Sequence, residues 1–190
     1  SVHSFGLVPG MILVKKTNGV VSWKVFQRSL GATKVLFLNT TNEALTQTSR
    51  WNDTEPTSTQ FTVGTSGGTN DSGDTYVAYL FAHNDGDGEF GPDADQDIIK
   101  CGSYTGNGST TGPLVTLGFE PQWVLIKLAS GSGENWILMD NMRGMPVGSN
   151  DTLFEINEAG AEKSTSEILN LTATGFDIKS TSNGINTNNQ

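Results

Sequence analysis

An internal repeat constrains this chain more than any single motif does. Residues 1–15 align without gaps on residues 113–127, matching Gly6 with Gly118, Pro9 with Pro121, Leu13 with Leu125 and Lys15 with Lys127 at an offset of 112. Further along, Trp23 falls on Trp136 and Gly31 on Gly144 at 113, Phe61 on Phe176 at 115 and Phe37 on Phe154 at 117, drifts that read as loop insertions. Self-similarity at a fixed pitch means one supersecondary unit built more than once. At a pitch near 113, the 190 residues hold about 1.7 periods.

The matched stretches read as strands in both copies. Apolar runs cover 11–16 and 123–127, then 23–27 and 136–140, then 35–39 and 153–157, and none has helical period. A Thr-rich approach to an aromatic strand follows in each copy, at 59–63 and 174–178. Composition agrees, since 23 Gly, abundant Ser, Thr and Asn, and only 16% charged residues disfavour charged helices. Short helical turns are expected only at 43–49 and 164–171. The expected fold class is all-β, two β-sandwich repeats in tandem: residues 1–83, an acidic Gly/Asp-rich linker at 84–97, and residues 98–190. Each repeat is incomplete at one end. A strand expected at 75–82 closes the first copy without a counterpart in the second, and one expected at 98–105 opens the second without a counterpart in the first. The expectation is a piece of a longer chain, or a chain whose neighbours pair with its open edges.

Charge and cysteine content exclude several classes. Acids exceed bases 20 to 11, a net charge of −9, the wrong sign for neutralising phosphates, so nucleic acid is not an expected partner. Asp85, Asp87, Glu89, Asp93, Asp95 and Asp97 supply six of those acids within thirteen positions, and without them the balance is −3. Cys101 is the only cysteine, so no intrachain disulfide forms and the chain folds on packing alone, as suits assembly in a reducing cytoplasm. No run approaches the roughly 20 apolar residues of a membrane span, and membrane insertion is not expected.

Several phrases together resemble a known class. They are Pro9-Gly-Met-Ile-Leu-Val-Lys15, Trp23 with Ser29-Leu-Gly31, Leu36-Phe-Leu-Asn-Thr40, Trp51 followed by Pro56-Thr-Ser58, Gly73-Asp-Thr-Tyr-Val-Ala-Tyr-Leu-Phe-Ala-His83, Gly102-Ser-Tyr-Thr-Gly-Asn-Gly108, Leu117-Gly-Phe-Glu-Pro-Gln-Trp-Val-Leu-Ile-Lys127 and Asn141-Met-Arg-Gly144. The set resembles repeats of marine bacteriophage virion proteins, found in tail-fibre, tail-spike or decoration-like chains near concanavalin A-like lectin modules. That resemblance implies jelly-roll or lectin-like sandwiches, a virion location after assembly in the host cytoplasm, and a structural or host-attachment role. It also implies other virion subunits and a host surface glycan or receptor as partners, and a homo-oligomer, with a trimer the usual state of fibres. It brings no catalytic residues. The alternatives are a lectin-like carbohydrate-binding module of a larger protein, with or without calcium, and third a glycan-depolymerising tail-spike enzyme.

The six acids of the linker offer hard oxygen ligands for Ca²⁺ at Asp85, Asp87, Glu89, Asp93, Asp95 and Asp97, but fail the EF-hand spacing, with Phe90 where the loop needs Gly and Gln96 where it needs Glu. The favoured reading is a solvated linker extended by self-repulsion with no cofactor, and the alternative is a less regular calcium site at these acids. Gly64-Thr-Ser-Gly-Gly68 fits the nucleophile-elbow pattern without the strand, helix or later histidine and acid that an elbow needs. Two histidines, His3 and His83, cannot build a zinc site, and no carboxylate pair stands out among Glu120, Glu134, Asp140 and Glu155, so the chain is read as no enzyme. Trp23, Trp123 and Trp136 are expected in the core because they sit at matched apolar positions. Trp51, in the polar stretch 49–55, is the candidate exposed ligand contact. Cys101 reads as a small buried hydrophobe.

Overall fold

The structure, a computed structural model, describes residues 1–85, 90, 92–164 and 166–190. The chain divides into two compact units, Ser1–Asp85 with Ile99–Ser103, and Gly86–Ile98 with Tyr104–Gln190. Regular structure in both is antiparallel β. No helix among the described residues is long and apolar enough to cross a membrane.

The first unit carries β1 (Met11–Lys16), β2 (Lys24–Gln27), β3 (Lys34–Phe37), β4 (Leu45–Thr46) and β5 (Tyr76–Phe81) in one sheet of order β4-β3-β2-β1-β5. Alternation along the strands decides its core. Ile12 and Val14 of β1, Phe26 of β2, and Val35 and Phe37 of β3 point to one face and pack with Ala32, Trp51 and Phe61. The ladder sets Ile12 opposite both Phe26 and Leu80, so apolar side chains meet across three neighbouring strands.

The second unit carries β6 (Leu114–Thr116), β7 (Trp123–Ile126), β8 (Ile137–Asp140), β9 (Thr152–Glu155), β10 (Lys163–Ser164), β11 (Leu169–Thr172) and β12 (Gly175–Ile178), then one helical turn, α1 (Asn183–Asn186). They form a four-stranded sheet, β10-β9-β8-β7, and a three-stranded sheet, β11-β12-β6. One buried cluster draws on both, with Val124, Ile126, Ile137, Met139 and Leu153 from the first and Leu169, Phe176 and Ile178 from the second. The Asn-rich end of the chain joins this core: Ile185 is buried, and fully buried Asn186 donates from Nδ2 to Asn107 Oδ1, Ser109 O and Ser180 O while its Oδ1 accepts the Asn107 N–H.

Four strands of each unit follow the same order, and their backbones are tied by the same bonds. The Trp23 N–H donates to Asn39 Oδ1 at 2.9 Å, and the Trp136 N–H to Asn157 Oδ1 at 2.8 Å. Lys15 Nζ reaches Val21 O at 2.7 Å, as Lys127 Nζ reaches Glu134 O at 3.0 Å. Arg28 N–H donates to Gly10 O and Asn141 N–H to Gln122 O, both at 3.0 Å. One alignment needs correcting. Val25 pairs with Leu36 and Leu138 with Phe154, so β3 and β9 correspond at 118, and Val35, not Leu36, is the counterpart of Leu153.

Other expectations also change. Residues 98–105 form no strand, and Ile99–Ser103 belongs with the first unit. Instead of helical turns at 43–49 and 164–171, the described residues there hold β4, the end of β10 and the start of β11. Residues 59–63 give only a bridge, Gln60 to Val2, although Phe61 is buried. Trp136 is buried and Trp23 half-buried, whereas Trp123 is 46% exposed. The cause is the sheet edge: Met11, its counterpart, lies opposite Phe81 on β5, while β7 is the last strand of its sheet.

Candidate functional site

The residues singled out for binding do not assemble. Trp51 is 2% exposed; its ring meets Phe26 edge-on at 5.9 Å and its Nε1–H donates to Lys34 O at 3.0 Å. It is a core residue with no ring face left for a ligand, which corrects the exposed-contact expectation. Of the linker acids, Asp87 and Glu89 lie outside the described residues. Asp85 belongs to the first unit, and Asp93, Asp95 and Asp97 to the second. Among the described residues no three His, Cys, Asp or Glu side chains are grouped to hold a metal ion.

Asp85 instead joins a histidine. His83 Nε2 lies 3.0 Å from Asp85 Oδ1, with the Arg28 guanidinium 3.5 Å from the same oxygen. His83 Nδ1 accepts the Cys101 N–H at 3.1 Å, and the thiol donates to Ala82 O at 3.4 Å. A Cys, a His and an Asp are therefore neighbours in the wrong order for nucleophilic catalysis, because the imidazole nitrogen that would take the thiol proton already holds a backbone N–H. Burial, only partly offset by Arg28, pushes the thiol up to about 11, and burial followed by Arg28 holds the His83 imidazolium below its usual range despite Asp85.

A hydroxyl-lined relief lies in the second unit. An open cleft of about 470 Å³ is lined by Thr110, Ser166, Glu167, Lys179, Ser180, Thr181 and Ser182. Most of its lining is the stretch Lys179-Ser-Thr-Ser182, met by Ser166 and Glu167 at the end of a similar phrase that begins at Lys163, and by Thr110. The β11–β12 ladder sets Leu169 opposite Ile178, and Lys179 N–H extends it to Ile168 O at 2.7 Å, so Glu167 and Ser180 emerge at the same end. Behind them Asp151, fully buried, accepts the Ile168 and Leu169 N–H groups on Oδ2 at 2.6 and 3.0 Å. Burial pushes the Asp151 carboxyl up and those two bonds draw it back.

Chemically the cleft is a row of hydroxyls beside one carboxylate and one ammonium. Glu167 Oε1 accepts the Gly148 N–H at 3.1 Å, Ser180 Oγ accepts the Ser182 N–H at 3.0 Å, and Lys179 pairs with Asp177. Such a surface suits a ligand that is itself rich in hydroxyls. The doubled phrase is the signal that sequence reading passed over.

A family model described as a domain of unknown function, DUF7483, matches residues 1–190. No curated protein and no solved structure matches the chain.

Proposed function

The chain thus belongs to the DUF7483 family, and from its own residues we propose that it is a host-attachment module of a bacteriophage virion, binding a surface glycan through the cleft of its second unit. In this reading each unit is a β-sandwich of one repeated design, the jelly-roll or lectin-like scaffold of a tail fibre or spike, and loops on a rigid scaffold do the binding. The observation that carries it is the meeting of Ser166 and Glu167 with Lys179-Ser-Thr-Ser182 in one hydroxyl-lined cleft. Hydroxyls and a carboxylate exchange hydrogen bonds with vicinal sugar hydroxyls, and affinity of the whole appendage comes from copy number. The second unit's core, shared by both of its sheets, supports the sandwich reading. The phage resemblance supplies the virion setting, the oligomer and the other virion subunits as partners.

Binding is favoured over glycan depolymerisation because Glu167 is the one carboxylate among the described residues of the cleft lining, and glycosidic cleavage uses two. Asp140 and Glu155 are occupied by Arg143 and Lys163. A glycan array with the wild type and Glu167→Gln tests the proposal, since Gln keeps the acceptor for Gly148 and removes the charge. Binding by the wild type that weakens at least several-fold in the variant is expected. A wild type that binds no glycan, or a variant that binds equally well, overturns it.

A further inference from the structure

Lys24 occupies a position that packing fills elsewhere with an aliphatic side chain. At the offset of 113 its counterpart is Ile137, in the core of the second unit. Lys24 is just as enclosed, at 4% exposed. Its ammonium donates to Ser22 O at 2.8 Å and stands 4.9 Å over the ring of Phe37, its partner in the β2–β3 ladder. No ion pair among the described residues includes it. Interior lysines are rare unless paired, because an ammonium stripped of water needs a counter-charge.

A second cation reaches the same point. Arg50 Nε donates to Gln47 Oε1 at 2.7 Å and Nη1 to Ser66 Oγ, and Arg50 likewise makes no ion pair among the described residues. The turn at 66–69 lies against both heads: a Cβ on Gly68 would stand 2.6 Å from Lys24 Cε, 2.7 Å from Arg50 Nη1 and 3.2 Å from Lys24 Nζ. Burial, then Arg50, then Lys15 pull the Lys24 amine down to about 8, and no carboxylate counteracts them.

We propose that Lys24, Arg50 and Ser66 form a binding site for a small oxyanion group, the carboxylate, sulfate or phosphate of a ligand. A guanidinium supplies planar directed donors, an ammonium a compact charge and the serine a hydroxyl, the set that such groups bind. The Gly68 N–H, donating to Ser66 Oγ at 3.3 Å, holds the hydroxyl against the Arg50 guanidinium. An anion here removes the repulsion between the cations and gives the buried ammonium a counter-charge. In a chain of net charge −9 this is a local exception. It lies in the first unit and does not depend on the glycan cleft.

The test titrates the full chain with phosphate, sulfate and acetate against chloride at constant ionic strength, reading the amide shifts of residues 66–69 and the melting temperature. Saturable shifts are expected in the wild type, and the anion that saturates first separates tetrahedral from carboxylate ligands. Arg50→Gln is expected to raise Kd about ten-fold, the loss typical of one charged hydrogen bond. Lys24→Ile is expected to abolish the response and keep or raise the melting temperature in chloride, since it installs the side chain of Ile137. No saturable response in the wild type, or a Kd within about three-fold of it in Arg50→Gln, overturns the proposal, and those two measurements decide the matter if Lys24→Ile does not fold.

Discussion

Replacing Trp51 should destabilise the first unit rather than abolish a surface contact. The side chain is 2% exposed, sits edge-on to Phe26 and holds Lys34 O through its indole N–H. A buried Trp removes 150–250 Å² from water, which at roughly 25 cal/mol/Å² sets an upper bound of about 4–6 kcal/mol. Truncations of buried Trp or Phe to Ala lie at about 3–5 kcal/mol once cavity relaxation is included. Trp51→Ala is therefore expected to cost about 3–5 kcal/mol, a large share of the roughly 5–15 kcal/mol that holds a domain together. Trp51→Phe keeps most of the volume and loses the N–H bond, for about 1–2 kcal/mol. Urea unfolding followed by far-ultraviolet circular dichroism measures both without relying on the fluorophore removed. A loss below about 1 kcal/mol in Trp51→Ala, with unchanged slope, would refute the buried placement.

Four further outcomes follow from the same geometry. Asn186→Ala leaves the buried Ser180 O without its donor and unties exposed Asn107 and Ser109 from the core, and is expected to destabilise the second unit by about 1–3 kcal/mol in the same urea assay. The Asp151 carboxyl is held above its usual range chiefly by burial, so the folded state binds its proton more tightly than the unfolded chain does. The stability from that proton is present below the unfolded value and is lost as pH rises through the folded one; between pH 3 and 7 the urea midpoint of the wild type should fall relative to that of Asp151→Asn, and parallel profiles would contradict the assignment. Cys101, with its thiol pushed up from 9.0 to about 11, should carry about a hundred-fold less thiolate at pH 8 when folded, so alkylation followed by mass spectrometry should be slow in buffer and fast in urea. Leu153→Ala should cost about 2–5 kcal/mol and Phe154→Ala less than about 1.5 kcal/mol, in thermal or urea unfolding, because Leu153 and not Phe154 faces the core.

The strands at 11–16, 23–27, 136–140 and 174–178 were legible because apolar runs bounded by turns carry their own signal and the second copy repeats it. Burial of single side chains was not. Trp51 stands among polar residues, yet its partner is the carbonyl of Lys34, 17 positions away, and only the fold brings them together. Trp123 stands in an apolar run, yet an edge strand leaves it open. The cleft was illegible for a related reason: short Ser/Thr stretches carry no contrast in a chain so rich in both, until the β11–β12 ladder brings Glu167 and Ser180 to one end. Lys24 was readable in principle, since aligning the copies puts it on Ile137 and a lysine in a core column is an anomaly worth explaining.

Register shows where residue matching stops being a structural argument. Pairing Phe37 with Phe154 assumes that like side chains keep like places, but a strand's place is fixed by its ladder, and a slip of one residue turns every side chain to the opposite face. At 117, Phe154 would lie inward and Leu153 outward. The ladder gives 118, so Leu153 joins the core beside Met139, and Phe154 lies under the Arg143 guanidinium, 4.4 Å from its ring. The same shift turns Asn39 and Asn157 into equivalents, which is why each receives the N–H of its Trp. The Phe61 match fails more gently. Phe61 N–H donates to Ser1 O as Ile178 N–H donates to Pro113 O, so Ile178 is its counterpart and Phe176 lies two residues away. A slip of two preserves the face, and both Phe176 and Ile178 are buried. Even slips along a strand therefore leave the core assignment intact and odd ones invert it, so in a repeat of this kind the backbone clasp, Trp N–H to Asn, is a sounder anchor for alignment than a shared aromatic ring.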